Sequence, residues 1–197
     1  MGNGSETKER ILQIALINFA ENGFEGARME KLASKVGIHK ASLYFHFKSK
    51  EDLFLALFQQ ILSDYQKKLK EILDETKGLP MKQRLTLIYE KYMDYNWNNA
   101  AMDFWNRMYY FPPVTMREEI LTQTLKVENS FLTQLSLIME EGIHRKELRP
   151  LGAVSMAKSY YYVLTCIGLS ADLMDKEQGL KDMEECFQVF WEGVRAE

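Results

Sequence analysis

Apolar residues recur three and four positions apart along nearly the whole chain, and no stretch alternates strictly over six or more positions, which restricts the fold to helices. With 197 residues, 46% of them apolar and 27% charged, the chain has ordinary globular composition for one large or two small domains around a sizeable core. No run approaches the ~18–20 apolar residues of a membrane span. The opening ten residues, Met1 to Arg10, are too polar for a signal peptide. Cys166 and Cys186 are too few for a disulfide scaffold, and a reducing, cytoplasmic setting fits.

Start and stop signals divide this pattern into helices. The first is predicted from about Thr7 to Glu21, with Ile11, Ile14, Ala15, Leu16 and Phe19 inward and Asn22-Gly23 as its stop. A second covers about Met29 to Val36 and ends at Gly37. The third, about Lys40 to Phe47, has only about two turns, too short to be stable alone, so Leu43 and Phe47, four apart on one face, must hold it by packing. Ser49 opens a long helix to about Thr76, with Glu51 and Asp52 placed to favour its positive end and Leu53, Leu57, Ile61, Tyr65, Leu69 and Ile72 as its inward stripe. After Gly78-Leu79-Pro80, helices are expected over Met81–Asn98, Ala101–Phe111, Glu118–His144, Gly152–Asp175 and Leu180–Arg195, with Pro112-Pro113 and the turn at 147–150 as breaks. The expected architecture is all-α, an N-terminal three-helix domain over 1–50 followed by a second helical domain over 51–197.

Charge supports that division. Residues 1–50 hold eight Lys/Arg against five Asp/Glu, net +3, which leaves 17 against 23, net −6, for residues 51–197. Residues 31–50 carry five lysines, two of the three histidines and no carboxylate. A basic pair of short helices around a glycine is a common device for putting side chains into a DNA major groove. At 100° per residue, placing Leu43 and Phe47 inward turns Ala41, Ser42, Tyr44 and Phe45 outward, with Lys40 and His46 on the flanks. One outward aromatic could tuck under a neighbouring helix. Two beside a small residue and a hydroxyl, flanked by lysines, suit a surface whose apolar atoms meet thymine methyls and whose hydroxyls meet bases or phosphates. Lys48 and Lys50, next to the N-terminus of the long helix, are expected to contact phosphate.

Those residues also carry a family resemblance. Ile11 to Leu53, with Phe19-Ala-x-x-Gly23-Phe24, Lys31-Leu-Ala-x-x-x-Gly37-Ile and Lys40-Ala-Ser-Leu-Tyr-Phe-His-Phe-Lys-Ser-Lys-Glu-Asp-Leu53, resembles the DNA-binding domain of the TetR family of transcriptional regulators. The resemblance implies an all-helical homodimer, usually a repressor, with an N-terminal three-helix DNA-binding domain and a C-terminal domain for a small molecule. It places DNA contacts at Lys40, Ala41, Ser42, Tyr44, Phe45, His46 and Lys50. Where the family often has Ser or Thr capping the second and third helices, this chain has Arg28 and His39, poor caps by side-chain chemistry. Either the caps are lost, or these two residues contact phosphates.

Between Tyr89 and Phe111 the chain is dense in aromatics and methionines; ordinary core accounts for most of them, but the density exceeds what packing requires and suits an adaptable apolar pocket. The resemblance implies a ligand cavity among these helices and the two long ones after them, with Trp105, Met108, Tyr109, Phe131 and Tyr161 as the expected lining for a small apolar or amphipathic ligand. Glu90, Asp94 and Asp103 read either as surface carboxylates or as groups neutralising a cationic ligand. The last two helices resemble the family's dimerisation helices, with Ala157, Gly168, Ala171, Leu164, Phe187, Phe190 and Trp191 suited to a close apolar interface. No metal site, cofactor or catalytic constellation is expected, because there is no Gly-rich phosphate loop, metal-ligand spacing or nucleophile elbow. His144 with Arg145 and Lys146 at a helix end is explained by the helix dipole. The rivals are an enzyme using Cys166, Cys186 and His144, and a helical scaffold with an incidental basic face.

Overall fold

The computed structural model describes residues 3–97, 99–170 and 175–196. They form α1 (Asn3–Gly26), α2 (Met29–Val36), α3 (Lys40–His46), α4 (Lys50–Glu75), α5 (Met81–Asn96), α6 (Ala100–Tyr110), a 3-10 turn (Val114–Met116), α7 (Arg117–His144), α8 (Ala153–Ser170) and α9 (Lys176–Val194). Among the described residues no strand occurs beyond an isolated antiparallel bridge between Leu148 and Arg195. No helix among them is long and apolar enough to cross a membrane. Two compact units result: Met1–Tyr65 with Ala100–Thr122, and Gln66–Asn99 with Gln123–Glu197. The expected division at residue 50 falls at the first residue of α4, inside the first of these.

The first unit is organised by phenylalanines. Phe54 of α4 meets Phe19 and Phe24 of α1 edge-on at 5.1 and 5.2 Å, and Phe104 of α6 at 5.3 Å, which joins three helices through one ring. Ile11, Ala15 and Phe19 are buried as expected, but Ile14 and Leu16 are half-buried and Leu12 and Asn18 take the interior instead. Helix α1 also runs past its predicted stop. Gly23 leaves helical geometry at φ 66°, a left-handed value that glycine adopts without a Cβ clash, and the chain makes one more turn to Gly26. Carbonyls in this last stretch of α1 find side-chain donors: Arg107 on Ala20 at 3.0 Å and Lys50 on Phe24 at 2.8 Å.

In the second unit Arg84, nearly buried, donates to Glu141 at 2.7 Å, and the Tyr160 hydroxyl donates to the Leu85 carbonyl at 2.6 Å. Gly142 fits so tightly that a Cβ there would lie 2.6 Å from Leu148 Cδ1 and 2.8 Å from its Cγ. The expected continuation of α8 to Asp175 is corrected. Asp175 is the N-cap of α9, accepting from the Gln178 amide at 2.8 Å, so α9 begins four residues before the predicted Leu180. Ala157, Leu164, Phe187 and Trp191, expected at a dimer interface, are buried within the protomer, while Phe190 is half-buried. Ala171 lies outside the described residues. The large apolar residues left exposed on these two helices include Val154, Tyr162, Leu180 and Val189.

Candidate nucleic-acid interface

Helices α2 and α3 have the predicted span and the predicted joint. Gly37 sits at φ 76°, where its N–H and that of Ile38 close back on Ser34 and Ala33, both at 3.0 Å. Arg10 of α1 adds a hydrogen bond to the Val36 carbonyl, satisfying another acceptor at the end of α2. Leu32, Val36, Leu43 and Phe47 are buried, which supplies the packing that a seven-residue helix needs.

With that face inward, α3 presents Lys40, Ala41, Ser42, Tyr44 and Phe45 to solvent, and His46 at its edge. Phe45 is 86% exposed and Tyr44 39%, with the Phe45 ring edge-on to His46 at 5.6 Å. Leaving a phenylalanine in water forgoes roughly 1.5–3 kcal/mol of burial, so folding of the isolated protomer does not explain its placement. Arg28 and His39 occupy the N-cap positions of α2 and α3 with extended backbone and no side-chain cap, as their chemistry predicts, and both are exposed.

The lysines differ in their engagement. Lys48 is exposed. Lys40 donates to Glu30 of α2 at 2.6 Å, and this hydrogen bond, aided by the lysine's charge, holds the Glu30 carboxyl below its usual range. The same bond raises Lys40 above the ordinary lysine value. Lys50 does not reach out from the N-terminus of α4 as expected. Its ammonium donates to the Phe24 carbonyl and lies 4.2 Å above the Phe24 ring. The helix start beside it is already supplied: Ser49 Oγ accepts from the Asp52 amide at 3.0 Å, and the Asp52 carboxylate accepts from the Lys48 amide at 2.8 Å.

The five residues expected around a ligand are divided between the two units. Trp105, Met108 and Tyr109 belong to the first, where Trp105 is buried edge-on to Tyr65 at 4.3 Å. Phe131 and Tyr161 belong to the second, with ring centroids 6.1 Å apart, and Phe131 stacks on Tyr92 at 6.4 Å. A cavity of about 350 Å³ opens in the second unit, lined by Leu69, Leu73, Val127 and Phe131 with Lys70 and Asp74 among its polar residues. Of the five, only Phe131 is on its wall. The α4 and α7 positions that line it carry no aromatic besides Phe131, so a search for aromatic density passes over them. Behind Phe131, burial pushes the Glu128 carboxyl up against the opposing effect of a hydrogen bond from Tyr161. Glu90 and Asp94 are exposed. Among the described residues no group of three or more His, Cys, Asp or Glu could hold a metal ion.

A basic helix pair joined by a left-handed glycine, with an aromatic held outward on its second helix, defines a helix-turn-helix DNA-binding protein. Residues 11–57 match the model of the bacterial regulatory proteins of the tetR family. The regulator RutR of Escherichia coli O157:H7 is 32% identical over 148 residues, 75% of this chain and 66% of RutR. The regulator YerO of Bacillus subtilis is 37% identical over 81 residues, 41% of this chain and 28% of YerO. The match thus spans less than two thirds of the length of these curated relatives. A TetR-family regulator from Mesorhizobium loti has the same fold, with a TM-score of 0.81 over the whole of both chains at 14% identity. The chain belongs to the TetR family. Its relatives carry the names of regulators, in line with the expectation that it is not an enzyme.

Proposed function

We propose that this protein is a cytoplasmic, DNA-binding transcriptional repressor that holds a palindromic operator as a homodimer and is released from it by a small apolar or amphipathic ligand. The observation that carries this reading is the outward face of α3, where Phe45 is 86% exposed beside Ala41, Ser42 and Tyr44. Reading of bases is assigned to these four with Lys40 and His46; phosphate contact is assigned to Arg28, His39 and Lys48, and to Lys50 if an operator phosphate draws its ammonium off the Phe24 carbonyl. One short recognition helix cannot supply both affinity and specificity, so two are required. The dimer is assigned to α8 and α9, whose exposed Val154, Tyr162 and Val189 would be covered by a second copy.

For the effector, the reading rests on the cavity beside Phe131, with Tyr161 packed behind it. Trp105, Met108 and Tyr109 remain candidates for substitutions that change the response. Helix α4 contributes Leu69 and Leu73 to the cavity and begins at Lys50, next to the DNA-binding helices, so cavity occupancy can bias the placement of α3. A ligand that binds the released form ~100-fold better than the DNA-bound form supplies ~2.7 kcal/mol of coupling.

The test is a salt titration of binding to palindromic and scrambled duplexes, monitored by fluorescence anisotropy. Several phosphate contacts from each of two protomers predict a log–log slope of roughly −5 to −8, at ~0.9 per contact. A slope shallower than about −2, or equal affinity for scrambled DNA, refutes the reading and favours a helical scaffold with an incidental basic face.

A further inference from the structure

We propose that Glu30 is a specificity-determining residue of the DNA-binding face, holding the Lys40 ammonium so that this charge is withheld from phosphates when α3 is seated in a wrong register. The inference rests on the DNA-binding reading above. Between Ala27 and Lys50, Glu30 is the only carboxylate in the sequence. It occupies the first turn of α2, where the helix dipole already favours an acid. The dipole does not account for its partner. Lys40 is ten residues away and opens α3, so the pair is made by the fold of the helix-turn-helix and not by spacing along one helix. The ion pair measures 2.6 Å, with side chains 53% and 69% exposed for Lys40 and Glu30, so an incoming duplex meets both groups. Arg28, at the N-cap of α2, also acts on this carboxylate through its charge.

A carboxylate on a face that approaches phosphates opposes what the lysines do. Every backbone contact is available on any duplex, so a Lys40 left loose would strengthen binding everywhere and tell sequences apart nowhere. Held at the N-terminal end of α3, the part of a recognition helix that meets base edges, the same ammonium is aimed for the O6 and N7 acceptors of a guanine. Glu30 therefore lowers sequence-independent affinity and orients the cation for the correct site.

The experiment compares the full-length protein with Glu30→Gln, Lys40→Ala and the double variant. The probes are a duplex selected by the wild-type protein from a random pool and a scrambled duplex of the same composition, from 50 to 200 mM KCl. Glu30→Gln is expected to bind the scrambled duplex about tenfold more tightly at 50 mM, with its log–log salt slope steeper by about 1.8 per dimer. The ratio of selected to scrambled affinity should fall at least threefold, and Lys40→Ala should abolish the effect of Glu30→Gln. An unchanged ratio, weaker binding to both duplexes, or an effect that survives in the Lys40→Ala background overturns the proposal, since each reduces Glu30 to an ordinary surface charge. Failure of the wild-type protein to select any duplex strikes instead at the DNA-binding reading and removes the proposal with it.

Discussion

Lys50→Ala separates two roles for the same residue. In the structure the Lys50 ammonium satisfies the Phe24 carbonyl at 2.8 Å and covers the Phe24 ring at 4.2 Å, bracing the end of α1 against the start of α4. A hydrogen bond from a charged donor contributes about 1.5–3 kcal/mol and an exposed cation–π contact about 0.5–1. Lys50 is half-buried and the two contacts share one ammonium, so the combined loss is set at about 1–2 kcal/mol. For a chain of this size that lowers Tm by about 3–6 °C and moves the urea midpoint by about 0.5–1 M at an m-value near 2 kcal/mol/M. The assay is denaturation of wild type, Lys50→Ala and Lys50→Arg, followed by circular dichroism, with DNA affinity measured on the same preparations. Lys50→Arg should retain part of the brace. If Lys50→Ala keeps its Tm within a degree while losing affinity for all duplexes alike, the ammonium works on phosphate and the bracing role is wrong.

Phe45→Ala, at a side chain 86% exposed, should leave Tm unchanged yet cost ~1–3 kcal/mol of discrimination at one or two base pairs in a binding-site selection. Gly142→Ala should destabilise by about 1–3 kcal/mol in urea unfolding, because the added methyl meets buried Leu148 at 2.6 Å and cannot be accommodated by a shift into solvent. Burial raises the Glu128 carboxyl in the folded state, so its favourable contribution is complete below the unfolded value and is lost as pH rises through the folded one. Glu128→Gln should therefore raise Tm by about 1–3 °C at pH 7.5 and by nothing near pH 4, a difference read by parallel melts.

Much of the DNA-binding face was legible because its determinants are local. Gly37 can take φ 76° at no steric cost, Leu43 and Phe47 fix which side of α3 is inward, and the outward set follows from helix geometry alone. The contacts that escaped are those between segments. A window of 31–50 shows no acid, yet Glu30, one residue outside it, is the partner of Lys40. Lys50 is drawn to the Phe24 carbonyl in the last turn of α1, beyond the kink at Gly23, and no periodicity announces that kink. The cavity escaped for a different reason. Leu69, Leu73 and Val127 are ordinary members of apolar stripes, and only the meeting of α4 and α7 turns them into a wall. In α9, Asp175 and Gln178 do form a readable capping pair, but the apolar periodicity continuing from α8 concealed it.

Helix α6 has a bearing on how the protein is made. Phe104 completes the ring cluster around Phe54, and Arg107 supplies a donor to the last stretch of α1, yet both lie in a stretch, Ala100–Thr122, separated from the first 65 residues by part of the other unit. During synthesis the helix-turn-helix leaves the ribosome long before its supporting helix. At 5–20 residues per second, the 57 residues from Tyr65 to Thr122 take about 3–11 s to add. For that interval Phe54 lacks the Phe104 ring and the Ala20 carbonyl lacks the Arg107 donor that α6 brings. The order of the genetic message thus leaves the first unit without its α6 contacts until that later stretch has been translated.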